Sequence, residues 1–163
     1  LGLRDAAELR VAMAEITAGM TQASHRLDGF LIEETAPRGH EIVVGGFRDP
    51  TFGQVVMLGI GGVFVELLDD VAFRICPITR QDAREMIADL RSAPILQGAR
   101  GGRAIPEAIV LDVLLALGGA HGVLDELADC LDELDVNPMI VSAEGAFAVD
   151  ARFILAREAS DAI

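Results

Sequence analysis

Lysine is absent from this chain: all 13 of its basic residues are arginine, set against 26 acidic ones. The formal charge of −13 argues against nucleic acid or an anionic membrane surface as a partner, since both would be repelled at long range. An anionic ligand would need local help. Cysteine is scarce as well. Cys76 and Cys130 stand in apolar or helical surroundings, without a close partner or metal-ligand spacing, which argues against a disulfide framework and for a reducing, cytoplasmic compartment. No apolar run reaches the roughly 18 residues that a membrane-crossing helix needs. His25, His40 and His121 are the only histidines, and none lies in a nucleophile motif, so neither Ser-His-Asp nor Cys-His catalysis can be assembled. There is no signal-peptide pattern, internal repeat, low-complexity tract or interdomain linker. The chain opens at Leu1 instead of methionine, which predicts a piece of something longer.

What is present suits one domain, residues 1–163, with a real core: 17.3 kDa, 52% hydrophobic residues and a mean hydropathy of +0.41. Residues 5–18 carry Leu9, Ala12, Met13 and Ile16 at helical spacing behind Asp5 as N-cap. Strand-like runs cover 30–33, 41–47 and 54–60, the last two joined by DPTFG, whose Pro50 and Gly53 are turn formers. Residues 63–79 are ambiguous by period, and their β-branched and aromatic content predicts one or two strands. Thr79 opens a capped helix through TRQDAREMIADLR, a second helix runs from about Pro106 to Gly118, and a third helical piece covers 121–132. The pattern predicts an α+β fold, a mostly antiparallel sheet of two hairpins with helices packed on one side.

The last hairpin carries the polar residues of interest. Runs 134–141 and 146–154 flank Ser142, Ala143, Glu144 and Gly145. If that loop closes an antiparallel hairpin, Val141 pairs with Ala146, and the same register sets Asn137 across from Asp150 and Asp135 across from Arg152. Alternation then predicts Leu134, Val136, Ile140, Phe147, Val149 and Phe153 on one face, with Asp135, Asn137, Asp150 and Arg152 on the other. A cross-strand Asn and Asp, with Cβ atoms roughly 5 Å apart, offer two hard oxygens to one point. That suits Mg²⁺, which completes its octahedron with water and phosphate oxygens. A solvated outer face with an Asp135–Arg152 ion pair is the commoner arrangement, and spacing alone favours it.

The series GFLIEE, then GHEIVVGGFRDPTFGQVVMLGIGGVFVELLDDVAFRICPIT, then ELDVNP with AVDAR downstream resembles the ATP-grasp module of ADP-forming (NDP-forming) acyl-CoA synthetases, relatives of the succinyl-CoA synthetase β subunit. The resemblance runs over nearly the whole chain. It implies the C-terminal ATP-grasp subdomain over 30–163, with about 1–29 as the tail of the N-terminal one. It also implies ATP or ADP and Mg²⁺ as cofactors, in a reaction that makes acyl-CoA, ADP and phosphate from acid, CoA and ATP through a phosphohistidine. In such modules a hinge strand binds the adenine edge, and a glutamate eight residues on holds the ribose; Glu33 and Glu41 have that spacing. By the same resemblance Asn137 and Asp150 match the Mg²⁺ ligands. The phosphorylated histidine belongs to another domain or subunit that binds CoA, so none of the three histidines matches it and no catalytic residue is expected here. The family also grips phosphates with a lysine and a glycine-rich loop in its N-terminal subdomain. A chain without lysine is therefore expected to be a fragment, inactive in isolation, and part of an oligomer. The alternative is a regulatory or interaction domain of the same fold, for example fused to a protein acetyltransferase.

Several residues have two readings. Glu34 and, on composition alone, Glu33 are a strand end reaching water. His40 beside Glu41 is a surface imidazole or a nucleotide contact. Gly59–Gly62 form an anion-binding nest or a tight turn. Glu66 and Arg74 match polar family positions, or pair with each other between strands. Arg100 and Arg103, the one basic concentration, hold a phosphate or CoA, or lie in a solvated loop. His121 reads as a helix-junction residue.

Overall fold

The structure, a computed structural model, describes residues 2–61, 70–98 and 104–156. The chain divides into two compact units, Leu1–Ala36 and Pro37–Ile163. In the first, helix α1 spans Ala6–Gln22, and its N-terminus is closed by Asp5, whose Oδ1 accepts from the backbone amides of Ala7 and Glu8 at 2.8 and 2.9 Å. The cap stands where the sequence put it, and the helix runs four residues past the expected end at 18. No α1 residue is buried. The strand expected at 30–33 does not form. Among the described residues of this unit there is no neighbouring strand to satisfy its backbone, and Leu31 stays 84% exposed.

The second unit is built on an antiparallel sheet. Its strands are β1 (His40–Asp49), β2 (Gly53–Ile60), β3 (Val71–Ile75), β4 (Leu131–Ser142), β5 (Gly145–Ala148) and β6 (Ala151–Leu155), in the order β3-β2-β1-β4-β5 with β6 also paired to β4. Pro50, Thr51 and Phe52 make the first turn. Asp49 closes it by accepting from the amides of Thr51 and Phe52, and Gly53 takes the left-handed conformation at φ 77°. Of the one or two strands expected over 63–79, β3 is one, and residues 63–69 lie outside the described residues.

Four helical segments follow β3 in sequence or separate it from β4: α2 (Arg80–Asp89), the single turn α3 (Ala93–Leu96), α4 (Glu107–Gly118) and α5 (Val123–Glu126). Thr79 and Asp82 form a reciprocal capping box on α2, as the sequence predicts. The piece expected over 121–132 shrinks to the four residues of α5, because Leu131 is already fully buried in the sheet and paired with Leu155. Met86, Ile87, Val110, Leu111, Leu114 and Leu124 close the core against Ile42, Val44, Val56, Leu58 and Leu134. The helices therefore cover one sheet face, and the fold class is the expected one. Among the described residues no helix is long and apolar enough to cross a membrane.

Alternation along β4 is broken once. Against β1, Val136 faces Val44 but Met139 faces Ile42, so β4 carries one extra residue opposite Val43. Leu134 and Val136 point into the core before this bulge, and Met139 and Val141 after it. Ile140, expected inside, is outside that core cluster. Phe147, Val149 and Phe153, also expected inside, are 40%, 48% and 51% exposed. Phe147 pairs with Ile140 and shares its outward face, while Val149 lies between the edge strands β5 and β6 and Phe153 on β6.

Asp70 is a buried carboxylate that ties β3 to the start of α3. Its oxygens accept from the backbone amides of Arg91 and Ser92, each at 2.8 Å, and from the Ser92 hydroxyl. Burial pushes this carboxyl up, but the Ser92 and Arg91 hydrogen bonds and the Arg91 charge outweigh it, and the net shift is downward. A depressed carboxyl stabilises the fold above its unfolded value, about 3.9, and the contribution is lost as pH falls through the lower native value. We expect Asp70→Asn to cost about 1.5–3 kcal/mol at pH 7, with the gap to the parent narrowing towards pH 3. Urea unfolding at both pH values checks this; an equal gap at the two would exclude a role for the charge.

Candidate functional site

Glu41 and Asn137 lie out of phase with the core residues of their strands, on the sheet face away from the helices, with Asp150 across from Asn137. In the last hairpin Val141 pairs with Ala146, Met139 with Ala148, Val136 with Ala151 and Asp135 with Arg152. This is the register expected from the loop, although Ser142 and Gly145 themselves pair and leave a two-residue turn. Between β5 and β6 the Asn137 amide donates to the Asp150 carbonyl, and the Val149 amide to the Pro138 carbonyl, both at 3.1 Å. Asn137 and Asp150 therefore stand opposite each other at the bulge, and both are exposed. Bulges concentrate at sites because they re-aim side chains.

Among the described residues the Arg152 side chain makes no ion pair with Asp135, its backbone partner; its guanidinium binds Glu133 of β4, two residues before Asp135. Among the described residues no ion pair or side-chain hydrogen bond engages the Asp150 carboxylate, so its oxygens are open to a cation. Among the same residues no cluster of three or more His, Cys, Asp or Glu could hold a metal by itself. A cation here would take a carboxylate and an amide oxygen from the protein and the rest from water and ligand. Two hard oxygens on a wet face fit Mg²⁺ and would not serve zinc.

Glu41 is exposed on β1, opposite Ile140 of β4. Its neighbours Ile42 and Val44 point into the core, so alternation turns Glu41 to the open face. Glu33 belongs to the first unit, where it is exposed and lines a cavity of about 440 Å³ with Leu3, Leu9 and Leu31. His40 is half-buried at the end of β1 and lines a cavity of about 290 Å³ with Arg38, Ser142 and Glu144.

Of the other candidates, Arg74 and His121 have structural contacts. Arg74 reaches the helix α2, at 2.7 Å from Asp89 and 4.0 Å from Glu85. Glu66, Arg100, Arg103 and Gly62 lie outside the described residues. Glu34 is exposed. His121 adopts φ 62° between α4 and α5 and donates its amide to Asp125, a junction residue as expected. Cys76 and Cys130 are both free thiols. Burial pushes the Cys76 thiol up to about 11, which leaves it protonated and poorly nucleophilic at neutral pH. One feature escaped the sequence: an apolar cavity of about 620 Å³ lined by Phe47, Phe52, Val55, Phe73 and Ile75. Its residues come from three strands, a turn and Asp82 of α2, and only the period-two spacing of Phe73 and Ile75 hinted at it.

Residues 1–155 match the profile of the ATP-grasp domain, and the chain belongs to that family. Among its relatives, the β subunit of acetate–CoA ligase (ADP-forming) I from Pyrococcus furiosus is 44% identical over 127 residues, covering 78% of this chain and 53% of that one. The β subunit of acetate–CoA ligase (ADP-forming) II from the same organism is 40% identical over 159 residues, covering 95% and 66%. The acetyl-coenzyme A synthetase 1 of Ca. Korarchaeum cryptofilum, solved with coenzyme A and Mg-AMPPCP and with its phosphohistidine segment pointing towards the nucleotide-binding site, superposes with a TM-score of 0.77 at 38% identity. That match covers 94% of this chain and 66% of the other. The chain thus spans between about half and two thirds of the length of these relatives.

Proposed function

We propose that this chain is the Mg-nucleotide-binding part of an ADP-forming acid–CoA ligase, with Glu33 and Glu41 on the nucleotide and Asn137 and Asp150 on the metal. The observation that carries the reading is the direct pairing of Asn137 with Asp150 on the open face that Glu41 also occupies. Relatives that are ADP-forming acetate–CoA ligases, and a related synthetase holding Mg-AMPPCP, support it. In this reading Glu41 accepts hydrogen bonds from the ribose hydroxyls, and the amide oxygen of Asn137 and the carboxylate of Asp150 would hold the cation. Bound there, Mg²⁺ would bridge phosphate oxygens and offset the negative field of an acidic protein during phosphoryl transfer. The phosphohistidine and the CoA site come from another domain or subunit in the cytoplasm, and the net reaction is acid, CoA and ATP to acyl-CoA, ADP and phosphate.

The test is product analysis on the complete protein with Mg-ATP, CoA and a panel of carboxylic acids that begins with acetate. Acyl-CoA with ADP and phosphate in equal amounts is the expected result. AMP and pyrophosphate, or Mg-ADP binding without turnover of any acid, would overturn it, the latter in favour of a regulatory domain.

A further inference from the structure

We propose that Gly61 is a positioning residue for Glu41, and through it sets the preference of the site for a ribose bearing both hydroxyls; this rests on the reading of Glu41 given above. Gly61 follows β2 and lies opposite Glu41, beyond the last regular pair, Ile42 with Ile60. Its amide donates to the Glu41 carbonyl at 2.7 Å, adding one bond to the ladder. A Cβ at Gly61 would stand 2.8 Å from Glu41 Cβ and 3.0 Å from both the Glu41 carbonyl carbon and oxygen. Directly opposed Cβ atoms in a regular antiparallel pair are about 4.5–5.5 Å apart. The chain therefore closes over Glu41 more tightly than any side chain allows.

Conformation does not explain this glycine, because Gly61 is not among the residues with positive φ. Space does. Gly39, two residues before Glu41, is also crowded, though against β4: a Cβ there would meet the Val141 carbonyl oxygen at 2.4 Å and Ile140 Cγ2 at 2.7 Å. An exposed glutamate ordinarily samples many rotamers at little cost. With a bare backbone pressed against its stem from β2, Glu41 keeps its place while its carboxylate stays free for a ligand. A methyl group at Gly61 would displace the Glu41 stem, and the carboxylate with it.

The experiment is calorimetry on the complete protein, comparing Mg-ADP with Mg-2′,3′-dideoxy-ADP. The parent should prefer ADP by about tenfold or more, the worth of hydrogen bonds to a charged group. Glu41→Ala should abolish the preference; a preference that survives this change overturns the ribose reading and the proposal with it. Gly61→Ala should also abolish it while leaving dideoxy-ADP affinity unchanged. If Glu41→Ala loses the preference and Gly61→Ala keeps it, or weakens both ligands equally, the proposal fails and the ribose reading stands. Should Gly61→Ala not fold, the pair Gly61→Ala with Glu41→Gly removes Glu41 Cβ, the nearest atom the new methyl meets, and leaves only the backbone contacts. Restored folding in that pair supports the proposal, and continued failure overturns it.

Discussion

Replacing Asp150 with alanine lowers the affinity of the complete protein for Mg-ADP by about 10–100-fold or more, because loss of a supporting partner alone costs a metal site that much. The metal-free nucleotide should bind as before. The fold should not suffer: the Asp150 side chain is exposed, and its cross-strand bond with Asn137 is made by the backbone carbonyl, which alanine keeps. Exposed changes of this kind fall within about 0.5 kcal/mol. Asn137→Ala, removing a neutral oxygen, should follow in the same direction with a smaller loss. Calorimetric titration with and without Mg²⁺, beside thermal unfolding, separates these effects. Equal Mg-ADP affinity in parent and Asp150→Ala would remove Asp150 from the metal site.

The largest effect on stability is expected at Leu114. It is fully buried on α4, inside the cluster that joins the helices to the sheet face bearing Ile42, Val56 and Leu58. Truncation to alanine removes apolar contacts and leaves a cavity that rigid neighbours on both sides cannot fill, at a cost of about 2–5 kcal/mol. Val11→Ala, on a helix with no buried residue, should change stability by less than about 0.5 kcal/mol. Urea unfolding of both variants checks the contrast. A loss below about 1 kcal/mol at Leu114 would mean that α4 is not seated on the sheet as described.

Local chemistry was the most legible part of this protein. Asp5 and Thr79 announced two helix starts, because a side-chain oxygen two or three residues from an orphan amide needs nothing remote to act. Asp49, Pro50 and Gly53 likewise marked the first turn. The run at 30–33 misled for the converse reason: a strand depends on a neighbour, and apolar composition does not supply one. The polar residues of the open face were found by counting from a loop, whereas their metal and nucleotide roles came from family resemblance.

The sequence by itself determined the register of the last hairpin. A short loop between two alternating runs leaves one in-phase pairing, and that pairing set Asn137 against Asp150. Only the tertiary structure decided which side chains of β4 are inside. The extra residue opposite Val43 is defined by the pairing of β4 with β1, a strand some 90 residues earlier, and it reverses the faces of Met139 and Ile140. It also decided that Gly61 would press on Glu41, twenty residues away, and that Arg152 would turn to Glu133 and leave Asp150 open. Such contacts form between segments whose separation along the chain carries no periodic signal, so packing alone selects them.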